Sequence, residues 1–484
     1  MSRQQRITPA LPRGMRDHLP EQLRPRLEVV ERIRRIFELY GFQPLETPAL
    51  ERLDVLTGKY GEEGEKLTFR VMKRGEEFRR AWEAVKEGAA PDELADLGLR
   101  YDLTVPLARV VAQYGDRLPR PFKRYQIAPV WRADRPQHGR YREFIQCDVD
   151  IVGTDSRLAD AELIVLMADV FNQLGLGEVE IHVNDRKLLF AMSRACGNPP
   201  GKFSEFCIEL DKLEKVGREG VAQGMNIRGL ATVVLPELWT FGDRIVRDLQ
   251  GSPIGGPPSF DWEWSGLAMR NAELSDEFRK GVRELFDLYQ AAIVLGVRQQ
   301  SVIINPFLAR GLDYYTGPVY EAVLPQAGIG SLGGGGRYDE LIGLFTGKSV
   351  PATGTSFGLE RIVDLMLERG LLAEGKAAAE VSVLQLAGGY EAVEFAGVVL
   401  KFLRNAGVSC EPSYHVDAKI AKHIQAAAKR GNGFVVFVGD DELARYKSMR
   451  AGAPEEIPVT AKRLTDGVQK QLSLSQFVLW LGES

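Results

Sequence analysis

Apolar residues recur at helical spacing in two regions of the first half of the chain, which predicts an amphipathic helix in each. One covers residues 21–40 and ends at Gly41, and the other covers residues 157–174. The first helix would carry five apolar side chains on one face: Leu27, Val30, Ile33, Ile36 and Phe37. From about 186 to 295 the pattern remains helical but is less regular, which predicts a helical insertion.

Alternation of apolar and polar residues predicts a strand in YREFIQCDVDIVG, residues 141–153. One face would carry Ile145, Cys147, Val149 and Ile151, and the other Phe144, Gln146, Asp148 and Asp150. The apolar set is typical of a core face. The polar set is unusual for a strand face that meets only solvent, because two carboxylates and an amide share it with an aromatic ring.

The last quarter of the chain has a different pattern. Residues 371–380, LLAEGKAAAE, predict a linker. Beyond it, strands VSVLQLA, VSCEPS and FVVFVG alternate with helices at 390–405 and 417–430. This βαβαβ order predicts a separate small α/β domain over residues 381–484, which leaves residues 1–370, insertion included, as the first domain.

Composition narrows the class of protein. A chain of 484 residues is too long for one ordinary core, and 44% hydrophobic with 26% charged residues is typical of a soluble globular protein. The net charge of −4 does not indicate a polyanion partner, although a local basic patch could bind one. The four scattered cysteines, the lack of an 18-residue apolar run and an N-terminus without an apolar core predict a cytoplasmic protein that neither spans a membrane nor is secreted.

The most strongly basic stretch, residues 117–142, holds eight Lys or Arg against one acid, Asp134. Its end, VWRADRPQHGRYREF, reads as a hairpin with Arg132 before the loop and Phe144 after it. A guanidinium matches phosphate oxygens and an aromatic face suits a nucleotide base, so the pair could hold a nucleotide. The alternative is a solvated basic hairpin.

Three further segments carry polar residues in unusual positions, and each has a simpler explanation. RYDLT would set Asp102 and Thr104 on one side of a strand, unless it is only an exposed edge. SFGLERIVDLM puts Arg361 in the first turn of a helix, where it could equally be a surface arginine. The glycines of GSLGGGGRYDEL indicate close approach of the backbone to a ligand or to the sheet.

Taken together, several segments resemble the class II aminoacyl-tRNA synthetases and, more closely, the histidyl-tRNA synthetase family. They are PRGMRDHLP, GFQPLETPALE, RYDLTVPLAR, KRYQIAPVWRADRPQHGRYREFIQCDVDIVG, ARGLDYYTGPVYEAV, GGGGRYDELIG and FGLERI. The resemblance covers most of residues 8–370, and the C-terminal domain matches in pattern only. RGLDYYTG is its most specific part.

The resemblance implies an α+β catalytic domain with a six-stranded, mostly antiparallel sheet, a helical insertion, a C-terminal α/β anticodon-binding domain and a homodimer. It also implies the reaction. L-histidine and ATP, with Mg2+, would form histidyl-adenylate and pyrophosphate, and histidine would then pass to the 3′ end of tRNA(His).

Site residues follow by resemblance, residue by residue. Arg132 and Arg310 would be catalytic at the α-phosphate of ATP, Arg361 would hold the γ-phosphate, and Phe144 would stack on adenine. The histidine-binding residues would be Asp102, Thr104 and Gln146 at the α-ammonium, and Asp150, Tyr314 and Tyr315 at the imidazole. The tRNA acceptor end would meet Arg135, Gln137 and Arg140, and no side-chain metal site is expected.

The sequence departs from the family pattern in two places, and two alternative functions remain. The excursion at 75–98 is longer than in the family and has no assigned role, and residues 415–425 lack the family's basic pattern. The chain could be a catalytically silent paralogue, acting as a regulatory subunit or a tRNA sensor. It could also be a class II synthetase for another amino acid, which RGLDYYTG argues against. The arginines, the paired tyrosines and the C-terminal domain favour the enzyme.

Overall fold

The computed structural model describes residues 8–57, 66–136, 139–232, 234–256, 272–309, 314–325, 328, 330–372, 379–414, 419–449 and 456–483. The chain divides into two compact units. The first contains Met1–Asp17 and Arg26–Leu372, and the second contains His18–Pro25 and Ala373–Ser484. In the described residues no helix combines the length and the apolar character that crossing a membrane requires.

Helices and strands up to residue 372 alternate irregularly along the chain. The helices are α1 (Pro20–Leu39), α2 (Leu53–Leu56), α3 (Gly75–Lys86), α4 (Thr104–Tyr114), α5 (Arg157–Gln173), α6 (Arg186–Ala195), α7 (Phe203–Leu210), α8 (Leu213–Ile227), α9 (Leu235–Gln250), α10 (Ala272–Val294), α11 (Gly343–Thr346) and α12 (Leu359–Glu368). The strands are β1 (Gln43–Pro44), β2 (Leu50–Arg52), β3 (Arg70–Met72), β4 (Ala95–Leu99), β5 (Phe122–Trp131), β6 (Glu143–Val152), β7 (Glu180–Asp185), β8 (Val302–Ile304), β9 (Pro318–Val323), β10 (Gly333–Arg337) and β11 (Ala352–Gly358).

The main sheet of the first unit has the order β1-β5-β6-β11-β10-β9-β7-β8. Its inner strands, from β5 to β7, pair antiparallel, while β1 runs parallel to β5 and β8 parallel to β7. The predicted α+β class with a mostly antiparallel sheet is therefore confirmed. The expected number of six strands is too low for the described residues, because a short parallel strand is added at each edge. A small antiparallel sheet, β2-β4-β3, accompanies it.

One face of β6 builds the core, as predicted. Cys147, Val149 and Ile151 are buried in the main hydrophobic cluster together with side chains of α1 and α5. Helix α1 contributes a slightly different face from the predicted one. Val29 is buried, whereas Leu27 is 55% exposed. The buried stripe therefore begins at Val29 and continues along the helix in steps of three or four residues.

Helices α6 to α10 supply the predicted helical region between β7 and β8. Their buried side chains, among them Leu188, Val221, Ile245 and Leu285, belong to the same hydrophobic cluster as the sheet. The excursion at 75–98 consists of α3, a 3₁₀ turn at Pro91–Leu94 and most of β4. Its last part forms the central strand of the small sheet.

The second unit is an α/β domain with its own core. Its elements are β12 (Val381–Gln385), α13 (Tyr390–Asn405), β13 (Cys410–Pro412), α14 (Ile420–Arg430), β14 (Phe434–Val438), α15 (Asp440–Ser448), β15 (Pro458–Arg463), β16 (Gln469–Ser473) and α16 (Leu474–Leu481). Strands β13, β12 and β14 are parallel, which confirms the predicted βαβαβ unit, and an antiparallel pair, β15 and β16, extends the sheet. Phe395, Val436 and Phe477 are buried at its centre.

Candidate active site

A cavity of about 770 Å³ lies over the polar face of β6 and is closed at its sides by segments next to β9, β10 and α12. It gathers most of the residues that the sequence singled out: Asp102, Thr104, Arg132, Arg140, Phe144, Gln146, Asp150, Tyr314, Tyr315 and Arg361. Arg310 and Gln137 lie outside the described residues. Arg135 is exposed and does not line the cavity.

Asp102 and Thr104 reach the cavity from the start of a helix, so their predicted place on a strand is wrong. The Asp102 Oδ1 atom accepts hydrogen bonds from the backbone N–H groups of Thr104 at 3.1 Å and Val105 at 3.0 Å. Acceptance of early helical N–H groups by a preceding carboxylate is the usual way to cap a helix. The cap therefore holds the buried Asp102 carboxylate at the cavity wall.

Arg132 follows the last residue of β5, and Phe144 lies in β6 across the hairpin. The guanidinium carbon of Arg132 is 5.2 Å from the Phe144 ring centroid and 4.3 Å from that of Tyr101. Its Nε donates to the Tyr101 carbonyl at 3.1 Å, and its Nη2 donates to Gln146 Oε1 at 3.3 Å. The faces of these two rings and the two hydrogen-bond acceptors thus hold the Arg132 guanidinium at the edge of the cavity.

Gln146 and Asp148 follow Phe144 along the cavity face of β6. The Gln146 amide nitrogen donates to Ser356 Oγ at 2.8 Å and to Asp148 Oδ1 at 3.4 Å. Burial raises the pKa of Asp148 to about 7, the buried Arg124 opposes this rise, and Asp150 adds to it. A carboxyl that titrates near neutral pH inside a cavity is typical of a functional site.

Asp150 ends the polar row and is held from two other strands. Arg124 of β5 lies directly opposite in the antiparallel register, with its Nη2 atom 2.7 Å from Asp150 Oδ2. The Tyr338 hydroxyl, just after β10, donates to Asp150 Oδ1. Burial raises the pKa of Asp150, while Arg124 and the Tyr338 hydrogen bond lower it.

Glycines make room for this carboxylate and for the backbone beside it. Gly354 of β11 is the register partner of Asp150, and a Cβ atom there would lie 1.9 Å from Asp150 Oδ1. A Cβ atom at Gly335 would lie 1.9 Å from the Gly354 carbonyl oxygen. The glycines of β10 and β11 therefore allow the backbones and the buried carboxylate to approach closely.

Tyr314 and Tyr315 form an aromatic cluster with Tyr338 beside Asp150. The ring centroids of Tyr314 and Tyr315 are 4.9 Å apart, and those of Tyr314 and Tyr338 are 5.9 Å apart, both edge-on. Tyr315 is buried and Tyr314 is partly exposed. Both precede β9, which begins at Pro318.

Arg361 lies in the first turn of α12, directly after β11, as predicted. Its Nη1 donates to the Ser331 carbonyl at 2.7 Å, and its Nε donates to the Gly139 carbonyl at 3.2 Å. The preceding Glu360 anchors the helix, since both of its carboxylate oxygens accept from the Ile145 N–H at 3.1 Å. Arg361 is thus a fixed cation at the cavity wall rather than a loose surface arginine.

The loop between β5 and β6 carries the residues expected at the tRNA acceptor end. Arg140 is half exposed, and its Nη2 atom lies 3.0 Å from Asp134 Oδ1. Within the described part of the chain, no group of three or more acidic, histidine or cysteine side chains could hold a metal ion.

Comparison with known proteins identifies the family. The family model described as histidyl-tRNA synthetase matches residues 14–78, 90–241 and 265–362, which is well over half of the chain. The chain belongs to the histidyl-tRNA synthetase family. The histidine–tRNA ligase of Gloeobacter violaceus is 40% identical over 480 residues, covering 94% of this chain and 97% of the relative. That of Flavobacterium johnsoniae is 37% identical, covering 90% and 93%.

Family membership extends to the fold and to the second unit. The crystal structure of histidyl-tRNA synthetase from Nostoc sp. PCC 7120 matches with a TM-score of 0.76 and 29% identity, covering 99% of this chain and all of that chain. A model described as an anticodon-binding domain matches residues 380–484. Both matches agree with the architecture that the resemblance predicted.

Sequence reasoning missed three residues that shape the cavity of this family member. Arg124 and Tyr338 hold Asp150, and Glu360 anchors the helix that carries Arg361. Tyr338 comes two residues after the last of the quoted glycines, so its place in that segment was the available signal. For Arg124 no local signal existed, because only strand pairing brings it opposite Asp150.

Proposed function

We propose that the chain is a histidine–tRNA ligase, which activates L-histidine with ATP and transfers it to the 3′ end of tRNA(His). The observation that carries this proposal is the presence of both kinds of charge in one cavity. Two guanidinium groups, Arg132 and Arg361, and buried carboxylates, including Asp102 and Asp150, line it. ATP needs cations for its phosphates, and an amino acid needs anions for its ammonium group.

The cationic part of the cavity suits ATP. Phe144 offers a ring face for adenine, and Arg132 beside it would contact the α-phosphate. Arg361, held by two backbone carbonyls, would contact the γ-phosphate. Arg310, which precedes the tyrosine pair, would supply the second cation at the α-phosphate. Fixed cations stabilise charge on the transferring phosphoryl group without reorganising during the reaction.

The anionic part suits histidine. A neutral imidazole presents one donor and one acceptor, so its pocket needs a partner of each kind. The Asp150 carboxylate would accept from one ring nitrogen, and the Tyr315 hydroxyl would donate to the other, with Tyr314 packed beside them. Asp102, Thr104 and Gln146 would surround the α-ammonium.

The proposed chemistry has two steps. A carboxylate oxygen of histidine attacks the α-phosphorus of ATP, and pyrophosphate leaves. A ribose hydroxyl at the tRNA 3′ end then attacks the carbonyl carbon, and AMP leaves. Arg132 and Arg310 would neutralise the charge of the pentavalent transition state in the first step.

Mg2+ would enter this site with ATP. Both Glu360 oxygens accept from the Ile145 N–H, one of them is also 2.5 Å from Arg26 Nη2, and the described residues contain no side-chain metal cluster. Magnesium prefers phosphate and water oxygens with few protein ligands, and when bound it would neutralise phosphate charge.

The loop residues Arg135, Gln137 and Arg140 would contact the acceptor end of tRNA, and the C-terminal unit would contact the anticodon. We also propose a homodimer in the cytoplasm. Membership of the histidyl-tRNA synthetase family supports this proposal.

The test is ATP–pyrophosphate exchange with each of the common amino acids in turn, without tRNA. We expect exchange with histidine alone. Arg132→Ala and Arg310→Ala should lower the exchange rate by about a thousandfold. Arg79→Ala, which removes an exposed arginine of α3, is the matched control and should retain full exchange.

If the folded protein shows no exchange with any amino acid, the proposal is wrong, and a regulatory paralogue becomes the better description. Neither the family model nor the two relatives supports that alternative.

A further inference from the structure

We propose that Asp148 is a positioning residue of the histidine pocket, whose carboxylate orients the Gln146 amide and supplies negative charge for the substrate's α-ammonium group. Asp148 lies between Gln146 and Asp150 on the cavity face of β6 and is only 2% exposed. This role rests on the proposed function and deepens it, because it concerns the same site.

The hydrogen bonds of Gln146 support the orienting role. Its Nε2 atom donates both to Asp148 and to Ser356, so the NH₂ end of the amide is held against the sheet. The opposite end, Oε1, consequently turns toward Arg132 Nη2 at the cavity edge. An oxygen in that place can accept from an ammonium group. Without the two acceptors on the NH₂ side, the amide could rotate and present a donor instead.

The charges around Asp148 support the electrostatic role. Charged and polar side chains from four segments surround Asp148. They are Arg124 from β5, Asp150 from β6, Ser356 from β11, and Arg100 and Asp102 from the segment before α4. Asp102, Asp148 and Asp150 are all buried. Arg124 pairs with Asp150, and Arg100 donates to the backbone carbonyls of Pro129 and Thr47. Three buried carboxylates that line one cavity favour binding of a cationic group there.

A purely structural role explains Asp148 less well. Burial raises its pKa to about 7, so the ionised form is disfavoured in the cavity. An asparagine would occupy the same space and accept from Gln146 without this penalty. A charged side chain at this position is therefore expected to act on a ligand rather than on the fold.

Two variants separate orientation from charge. Asp148→Asn keeps an acceptor for Gln146 but removes the charge, whereas Asp148→Ala removes both. In histidine-dependent exchange at pH 8, we expect Asn to raise the histidine KM about tenfold and Ala to raise it further, because a charge-assisted interaction is lost. The KM for ATP should stay within about twofold of the wild-type value. In a Gln146→Ala background, Asp148→Ala should have a smaller effect, since the amide it orients is gone.

The pH profile provides a second readout. As pH falls from 8 to 6, Asp148 takes up a proton in the wild-type protein, so the histidine KM should rise. The substrate imidazole titrates in the same window, with a pKa of about 6.5, and contributes its own share. In the Asp148→Asn variant only the titration of the substrate imidazole remains. The ratio of its histidine KM at pH 6 to that at pH 8 should therefore be smaller than in the wild type.

Asp185→Asn is the matched control. Asp185 is also fully buried, burial raises its pKa to about 6, and it lies outside the cavity. This variant should leave both the histidine KM and its pH ratio unchanged. Wild-type protein without histidine-dependent exchange would overturn the proposed function itself. An active wild type, with Asn and Ala variants that keep the wild-type histidine KM and pH ratio, would overturn only the role of Asp148.

Discussion

Two buried arginines in the same sheet have very different surroundings. Arg337, the last residue of β10, donates from Nε and Nη2 to Asp160 at 3.1 and 2.8 Å. Its remaining donors reach Asp339 and the carbonyls of Thr154 and Ser156. Every nitrogen of this guanidinium is therefore satisfied by the protein, and it connects β10 to the start of α5.

Arg124 is equally buried but less completely satisfied. Its Nη2 atom meets Asp150 and the Leu103 carbonyl, whereas its Nε and Nη1 atoms have no hydrogen-bond partner among the described residues. It lies near two buried carboxylates of the cavity, Asp148 and Asp150. We therefore expect Arg337 to act mainly on the stability of the fold and Arg124, which pairs with the cavity residue Asp150, to act mainly on the site.

The largest expected effect comes from breaking the structural cluster. Arg337→Met would leave the buried Asp160 carboxylate without its partner, which should lower the free energy of unfolding by about 3–5 kcal/mol. Urea denaturation measures the loss, and the exposed Arg79→Met is the control, which should be nearly neutral. An unchanged unfolding free energy would show that Arg337 does not stabilise the fold.

Breaking the cavity cluster should affect activity more than stability. Arg124→Met should lower kcat/KM for histidine by about a hundredfold, because Asp150 loses the cation that keeps it ionised. The loss of stability should be smaller than for Arg337→Met, since Arg124 makes fewer hydrogen bonds within the protein than Arg337 does. The two variants are compared by urea denaturation and by exchange kinetics. If Arg124→Met is the more destabilising of the two variants and retains the wild-type kcat/KM for histidine, the proposed difference between Arg124 and Arg337 is wrong.

A smaller change sharpens the contrast further. Tyr338→Phe removes the hydroxyl that donates to Asp150 and should raise the histidine KM about tenfold, with little change in the ATP KM. Tyr320 is a matched buried tyrosine whose hydroxyl contacts Thr353 Oγ1 at 2.6 Å outside the cavity. Tyr320→Phe should reduce stability by about 1 kcal/mol and leave both KM values unchanged. Equal effects of the two variants on the histidine KM would contradict a specific contribution of Tyr338.

The smallest expected effect is on stability as a function of pH. Burial raises the pKa of Asp148 to about 7, above its unfolded value of about 3.9, so between these values the folded state binds more protons. Its contribution to stability is therefore greatest at low pH and declines as pH rises toward 7. Thermal unfolding at pH 5 and pH 8 should show a smaller decline for Asp148→Asn than for the wild type. An identical decline would mean that Asp148 does not titrate in this range.

Local patterns predicted much of the fold. The alternation in β6, the helix at α5 and the βαβαβ order of the second unit are all present in the structure. One error occurred where a side-chain cap of a helix overrides the alternating pattern. Asp102 and Thr104 fit a strand by spacing, but the Asp102 carboxylate caps α4 instead. The edge strands of the main sheet are too short to leave a clear pattern.

For the candidate site, the sequence determined which residue types are available and which face of β6 they share, because side chains alternate along a strand. The resemblance then predicted a set of site residues, most of which line one cavity. Only the tertiary structure decided their partners. Arg124, Gly354 and Tyr338 meet at Asp150 from three separate segments, and Tyr338 lies 188 residues away along the chain. Strand register determines which residues lie opposite each other in the sheet. Register depends on contacts between residues distant in sequence, which no local spacing encodes.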